Sequence, residues 1–142
     1  MNFLSKEQQA QIGEAISAAE LNTSGEVVLY LCKKCKGDIY EHAQEVFNKK
    51  ELYQTEQRNG VLIALCYQDH KLAVLGDEGI NKVVEDCFWD DVISHMITQF
   101  KDGAYTDGLS EGIQMIGEKL KVHFPYQSDD VNELSNEIIH ED

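Results

Sequence analysis

The chain has 142 residues, and 12 Lys+Arg against 26 Asp+Glu give a formal charge of −14 and a pI near 4.6. A chain of this length fits one compact domain that buries roughly 68–70% of its unfolded surface, and 42% hydrophobic residues with a single Pro exclude a mainly disordered chain or a Pro-rich linker. Nucleic acid is excluded as the expected partner because phosphate binding demands a local Lys/Arg surplus; a divalent cation or a cationic protein suits the charge.

In chain order, Ser5-Lys6-Glu7-Gln8 has the form of a capping box, and Ile12, Ile16 and Ala19 then follow one face of a helix that Thr23-Ser24-Gly25 ends. Glu26 to Cys32 is continuously apolar after its first residue, which predicts a strand covered on both faces. Gly37-Asp38 supplies a turn and an N-cap for a second helix, with Ala43, Val46 and Phe47 buried, running to about Leu52. Gly60 to Tyr67 is the most hydrophobic segment and is placed as the central strand; the turn Gln68-Asp69-His70 joins it to a hairpin partner at Lys71 to Leu75. The strand, helix, strand order implies a parallel pair linked by a right-handed crossover.

After Gly79 the spacing predicts a helix with Trp89, Ile93, Met96, Ile97 and Phe100 on one face, then a long helix carrying Leu109, Ile113, Ile116 and Leu120 until Pro125 stops it. Residues 1–126 thus read as the domain and 127–142 as an acidic tail, in which Val131, Leu134, Ile138 and Ile139 have the spacing of a marginal helix. The architecture is α/β, a layered sandwich with helices on both sides of a small mixed β-sheet.

The longest apolar run, Val61 to Tyr67, falls far short of the roughly 20 residues a membrane span needs, and Met1 to Glu7 has no signal pattern. A soluble, cytoplasmic protein is expected, with Cys32, Cys35, Cys66 and Cys87 as thiols. Cys32-Lys33-Lys34-Cys35 lacks a second pair for zinc, so Cys32 reads as core and Cys35 as loop, with Cys66 and Cys87 as core filling. The histidines at 42, 70, 95, 123 and 140 are scattered, and no Walker loop, dinucleotide fingerprint, nucleophile elbow, Cys-x5-Arg loop or Asp-x-Asp nucleophile pair occurs.

With two strands parallel and the third running back, three connections meet at one edge of the sheet: Thr23-Ser24-Gly25-Glu26, Arg58-Asn59-Gly60 and Gly76-Asp77-Glu78-Gly79. That edge lies opposite the carboxyl ends of the parallel strands, where open α/β sheets usually bind ligands. Carboxylate and carbonyl oxygens converging from a loop are what Ca²⁺ or Mg²⁺ requires, which makes Glu26, Asp77, Glu78, Asp90 and Asp91 candidate metal ligands. At most one of Asp90 and Asp91 should point inward, since successive helical positions diverge by about 100°. Without a cation these carboxylates would repel one another. The alternative for the Gly-Asp-Glu-Gly turn is an acidic N-cap that complements a helix dipole.

Arg58-Asn59-Gly60-Val61-Leu62-Ile63, Gly76-Asp77-Glu78-Gly79-Ile80, Phe88-Trp89-Asp90, Phe100-Lys101-Asp102-Gly103 with Gly108-Leu109, and His123-Phe124-Pro125 together resemble the TPM domain, over roughly residues 5–126 and in particular its soluble bacterial members. The resemblance implies a three-layer α/β/α sandwich, a relative with acid phosphatase activity, and calcium at an acidic cleft. Carried onto this chain, it makes Asp77 and Asp90 the foremost metal candidates. The catalytic expectation is a phosphoric monoester hydrolase in which Ca²⁺ or Mg²⁺ polarises a phosphate, Asp77 orients or deprotonates water, and Arg58, with Asn59 beside it, clamps the phosphorylated substrate. The alternative is a non-catalytic, calcium-tuned interaction module. The absence of a signal and a span in this sequence separates it from the lumenal and membrane-bound members of the family.

Overall fold

The computed structural model describes residues 4–85, 87–126 and 138–141. Helix α1 (Lys6–Glu20) starts as the capping box dictates: the Ser5 hydroxyl accepts from the Gln8 amide at 3.1 Å, and the Gln8 side chain accepts from the Ser5 amide at 2.8 Å. Strand β1 (Glu26–Cys32) and strand β2 (Gly60–Cys66) are buried at every position, so neither has a polar face to give to water. They run parallel in unbroken register, Glu26 opposite Gly60 through Cys32 opposite Cys66, and β3 (Lys71–Gly76) returns antiparallel to β2. Between β1 and β2 lies α2 (Ile39–Lys49), capped by Asp38; Leu52 packs from the turn beyond its end.

The period of two along the strands divides the core into two layers. Val27, Leu29, Leu31, Val61, Ile63 and Leu65 face Ile12 and Ile16 of α1 and the helices α4 (Phe88–Lys101) and α5 (Tyr105–His123). Val28, Tyr30, Leu62 and Ala64 face α2, with Ala43, Val46 and Phe47. Burying each large aliphatic side chain stabilises the fold by about 1.5–3 kcal/mol, and α5 alone contributes Leu109, Ile113, Ile116 and Leu120. Its approach to α1 needs Gly117, where an added Cβ would sit 2.6 Å from the Ala19 Cβ. The result is a three-layer α/β/α sandwich. Among the described residues no helix is long and apolar enough to cross a membrane.

Several local expectations are corrected. Ile138 and Ile139, spaced as part of a marginal helix, instead begin strand β4 (Ile138–Glu141), which pairs parallel with β1 and gives the sheet order β3-β2-β1-β4; Val131 and Leu134 lie outside the described residues. The segment after Gly79 divides into a short helix α3 (Glu78–Asn81) and α4, and Val92 and Met96 are the fully buried positions of α4, whereas Ile97 is 38% exposed. Pro125 does more than stop α5: it bridges to Thr23, whose hydroxyl donates to the Phe124 carbonyl. Cys32 and Cys66 are joined by a disulfide, because register partners on neighbouring parallel strands place both side chains on the α2 face with Cα atoms 4.7 Å apart. Cys35 lies in the loop after β1, as expected, and is buried there, whereas Cys87, expected in the core, is exposed at the start of α4.

Candidate functional site

The three connections do meet, at the amino ends of β1 and β2 and the carboxyl end of β3. Ser24 anchors the group: its hydroxyl accepts from the side-chain amides of Gln57 and Asn59, each at 3.2 Å. The β1 entry joins through the Glu26 amide and the Asn59 carbonyl at 3.4 Å, and the β3 exit joins through the Asp77 amide and the Gly60 carbonyl at 2.9 Å. Gly79 closes the last contact, its amide donating to the Arg58 carbonyl at 2.9 Å. Only glycine fits there, because a Cβ would lie 2.2 Å from the Gln57 carbonyl oxygen and 2.6 Å from that of Arg58.

Arg58 sits at a φ of +51°, a left-handed conformation held by its amide on the Thr55 carbonyl and by the Asn59 amide on the Thr55 hydroxyl. Its guanidinium forms a two-pronged pair with Asp77, Nε to Oδ2 at 2.7 Å and the second nitrogen to Oδ1 at 2.9 Å, and reaches Glu78 Oε1 at 3.3 Å. Tyr53 lies 5.8 Å beneath the guanidinium carbon. Asp77 is also the N-cap of α3, Oδ1 accepting from the Glu78 amide at 2.7 Å. Its side chain is 4% exposed, against 41% for Arg58 and 59% for Glu78. The hydrogen bonds to Asp77 hold the guanidinium protons more tightly than usual.

The remaining candidates fall into separate settings. Glu26 is buried at the start of β1, and Asn59 is buried with no hydrogen-bond partner for its Oδ1. Asp90 and Asp91 are both exposed on the first turn of α4, where they complement the helix dipole. The start of α4 is tied to the site by Trp89 instead: its ring packs on Gly76, and its Nε1 donates to Asn81 Oδ1 at 3.2 Å while Asn81 Nδ2 donates to the Gly76 carbonyl. Sequence places Ser24 only within its connection and gives no signal for Tyr53, Thr55 or Asn81. Their types are common in turns and carry no spacing signal.

Both Asp77 oxygens are engaged by the Arg58 guanidinium, and among the described residues no three His, Cys, Asp or Glu side chains are grouped to hold a metal. Nor do the carboxylates simply repel one another, since Arg58 is shared by two of them.

Comparison with known proteins gives a consistent result. Residues 1–119 match the model of the TPM domain. The NMR structure of the BA42 protein from the psychrophilic bacterium Bizionia argentinensis is 39% identical, covers 99% of this chain and 97% of its own, and superposes with a TM-score of 0.92. The N-terminal domain of the cg2496 protein from Corynebacterium glutamicum shares the fold at 11% identity and a TM-score of 0.68, over 94% of this chain and 84% of its own. The N-terminal domain of a protein from P. gingivalis does so at 19% identity and 0.69, over 87% and 80%. No curated protein matches significantly.

Proposed function

The chain belongs to the TPM domain family, and we propose that within it this protein is a non-catalytic binding domain for a cationic protein partner. The observation that carries this reading is the Arg58–Asp77 pair: an arginine bound on two prongs to a buried carboxylate is not poised to clamp phosphate, and a carboxylate so engaged is a poor base for water. The charge of −14 selects positively charged ligands and speeds their encounter at low ionic strength. Calcium or magnesium tuning at this edge would require Arg58 to leave Asp77.

The test combines p-nitrophenyl phosphate hydrolysis with Ca²⁺ and Mg²⁺ titrations of the metal-free protein followed by NMR. Background hydrolysis, equal in wild type and Asp77→Asn, is expected. Turnover that is lost in Asp77→Asn would restore the phosphatase reading, and saturable cation shifts at Ser24, Asn59 and Asp77 would restore the metal site.

A further inference from the structure

At the other end of the sheet, beyond the carboxyl end of β2, a cavity of about 590 Å³ opens between the β2–β3 hairpin and the junction of α4 with α5. Its apolar walls are the register pair Leu65 and Leu72 on the sheet side and Ile97 and Phe100 on the helix side. The Phe100 and Tyr105 rings stack at 4.8 Å and 23°, giving one wall a flat aromatic surface. The volume falls within the range of small-ligand sites, and the position is the end of the strand where α/β sheets most often receive them.

The charge of the lining departs from that of the chain. Asp and Glu outnumber Lys and Arg by 26 to 12, yet the described residues around this cavity include Lys101 and His70 and no carboxylate. Neither side chain forms an ion pair among the described residues, and Asp69, next to His70, is turned away to accept from the Cys35 amide at 2.7 Å. An apolar pocket with an unpaired ammonium at its mouth is complementary to a molecule with an apolar body and one negative end.

We propose that this cavity is a binding site for a small aromatic carboxylic acid, its ring laid against Phe100 and Tyr105 and its carboxylate on Lys101. Leu65, 2% exposed, forms the floor that keeps the acid's apolar body dry. The proposal is independent of the Arg58–Asp77 edge and does not require it to bind anything.

The experiment uses the full-length, ¹⁵N-labelled protein titrated with 2-naphthoate and, separately, with the uncharged 2-naphthamide. Saturable naphthoate shifts are expected at residues 65–72 and 97–105, with 24–26, 58–60 and 76–79 unmoved. The amide should bind about fivefold more weakly, the size of a partly exposed charge pair. Lys101→Gln should bring naphthoate down to the affinity of the amide, and Ile97→Glu, at an exposed position, should abolish binding of both. Equal affinity for acid and amide, an indifferent Lys101→Gln, saturable shifts elsewhere, or shifts of the same amides on raising protein concentration without ligand would each overturn the proposal. Lys101 is at the surface, so its substitution remains informative if Ile97→Glu fails to fold.

Discussion

The two ends of this sheet handle polar groups in opposite ways. At the amino end of β1 and β2, Ser24, Thr55, Gln57, Arg58, Asn59, Asp77, Glu78 and Asn81 are joined to one another or to the backbone, so that polar side chains lock loops together. At the carboxyl end of β2 the surroundings are apolar, and Lys101 and His70 line the cavity with no ion pair among the described residues. A network whose polar side chains are mostly engaged with one another contributes rigidity, whereas a cavity with unmatched charge retains free energy for a ligand. The end richest in functional-looking residues is therefore the one most engaged with itself.

The largest effect should come from breaking the closed end at its tightest point. Gly79→Ala drives a Cβ into two carbonyl oxygens, and backbone must move to admit it. A loss of about 3 kcal/mol is expected in chemical denaturation, at the upper end of overpacking costs. An unchanged midpoint would mean that the loops are not locked.

Next comes Asp77→Ala, which removes the α3 cap and the counter-charge of Arg58 together, for about 2 kcal/mol. Asp77→Asn keeps a capping oxygen and should cost about half as much, measured by the same denaturation curves. Were the carboxylates chiefly repulsive, the Asn variant would be no less stable than wild type, so the sign decides between the two pictures. Lys101→Gln, at the open end, should leave stability unchanged while altering the naphthoate titration.

The smallest effect concerns Cys35. Burial pushes its thiol above the usual range, partly offset by Lys71. The native state therefore holds this proton at a pH where the unfolded chain releases it, so stability from this group is present below about pH 8.5 and is lost as pH rises beyond it. Alkylation should follow the same order: exposed Cys87 fast, Cys35 slowly until unfolding, and Cys32 and Cys66 only after reduction. Four reactive thiols in unreduced, unfolded protein would contradict the disulfide.

Legibility in the sequence tracked how many faces an element buries. Strands β1 and β2 were readable almost to the residue because burial on both faces leaves an uninterrupted apolar run, and α5 because its buried residues recur at helical spacing. Ile97 misled because the apolar stripe of α4 runs on past the sheet to the rim of the cavity, where nothing among the described residues covers it fully. The meeting of the three loops followed from strand direction alone. What did not follow was that Arg58 would face Asp77: nineteen positions apart, they are neighbours only because β2 and β3 form a hairpin. The cavity at the other end was not legible either, since Leu65, Leu72 and Phe100 look like ordinary core residues until the layers are assembled.

Strand β4 lies beyond residue 119, where the match to the TPM domain ends, yet it flanks β1 on the side away from β2. Without it, the apolar stretch of β1 that it pairs, residues 29–32, would present unpaired amides and carbonyls along one margin. The short final strand acts as a guard against templated pairing between copies. A chain cut after residue 126 would lose Ile138 and Ile139 from the margins of the two cores and leave that stretch of β1 open, and is expected to join other copies edge to edge, read as faster sedimentation than the full chain at the same concentration.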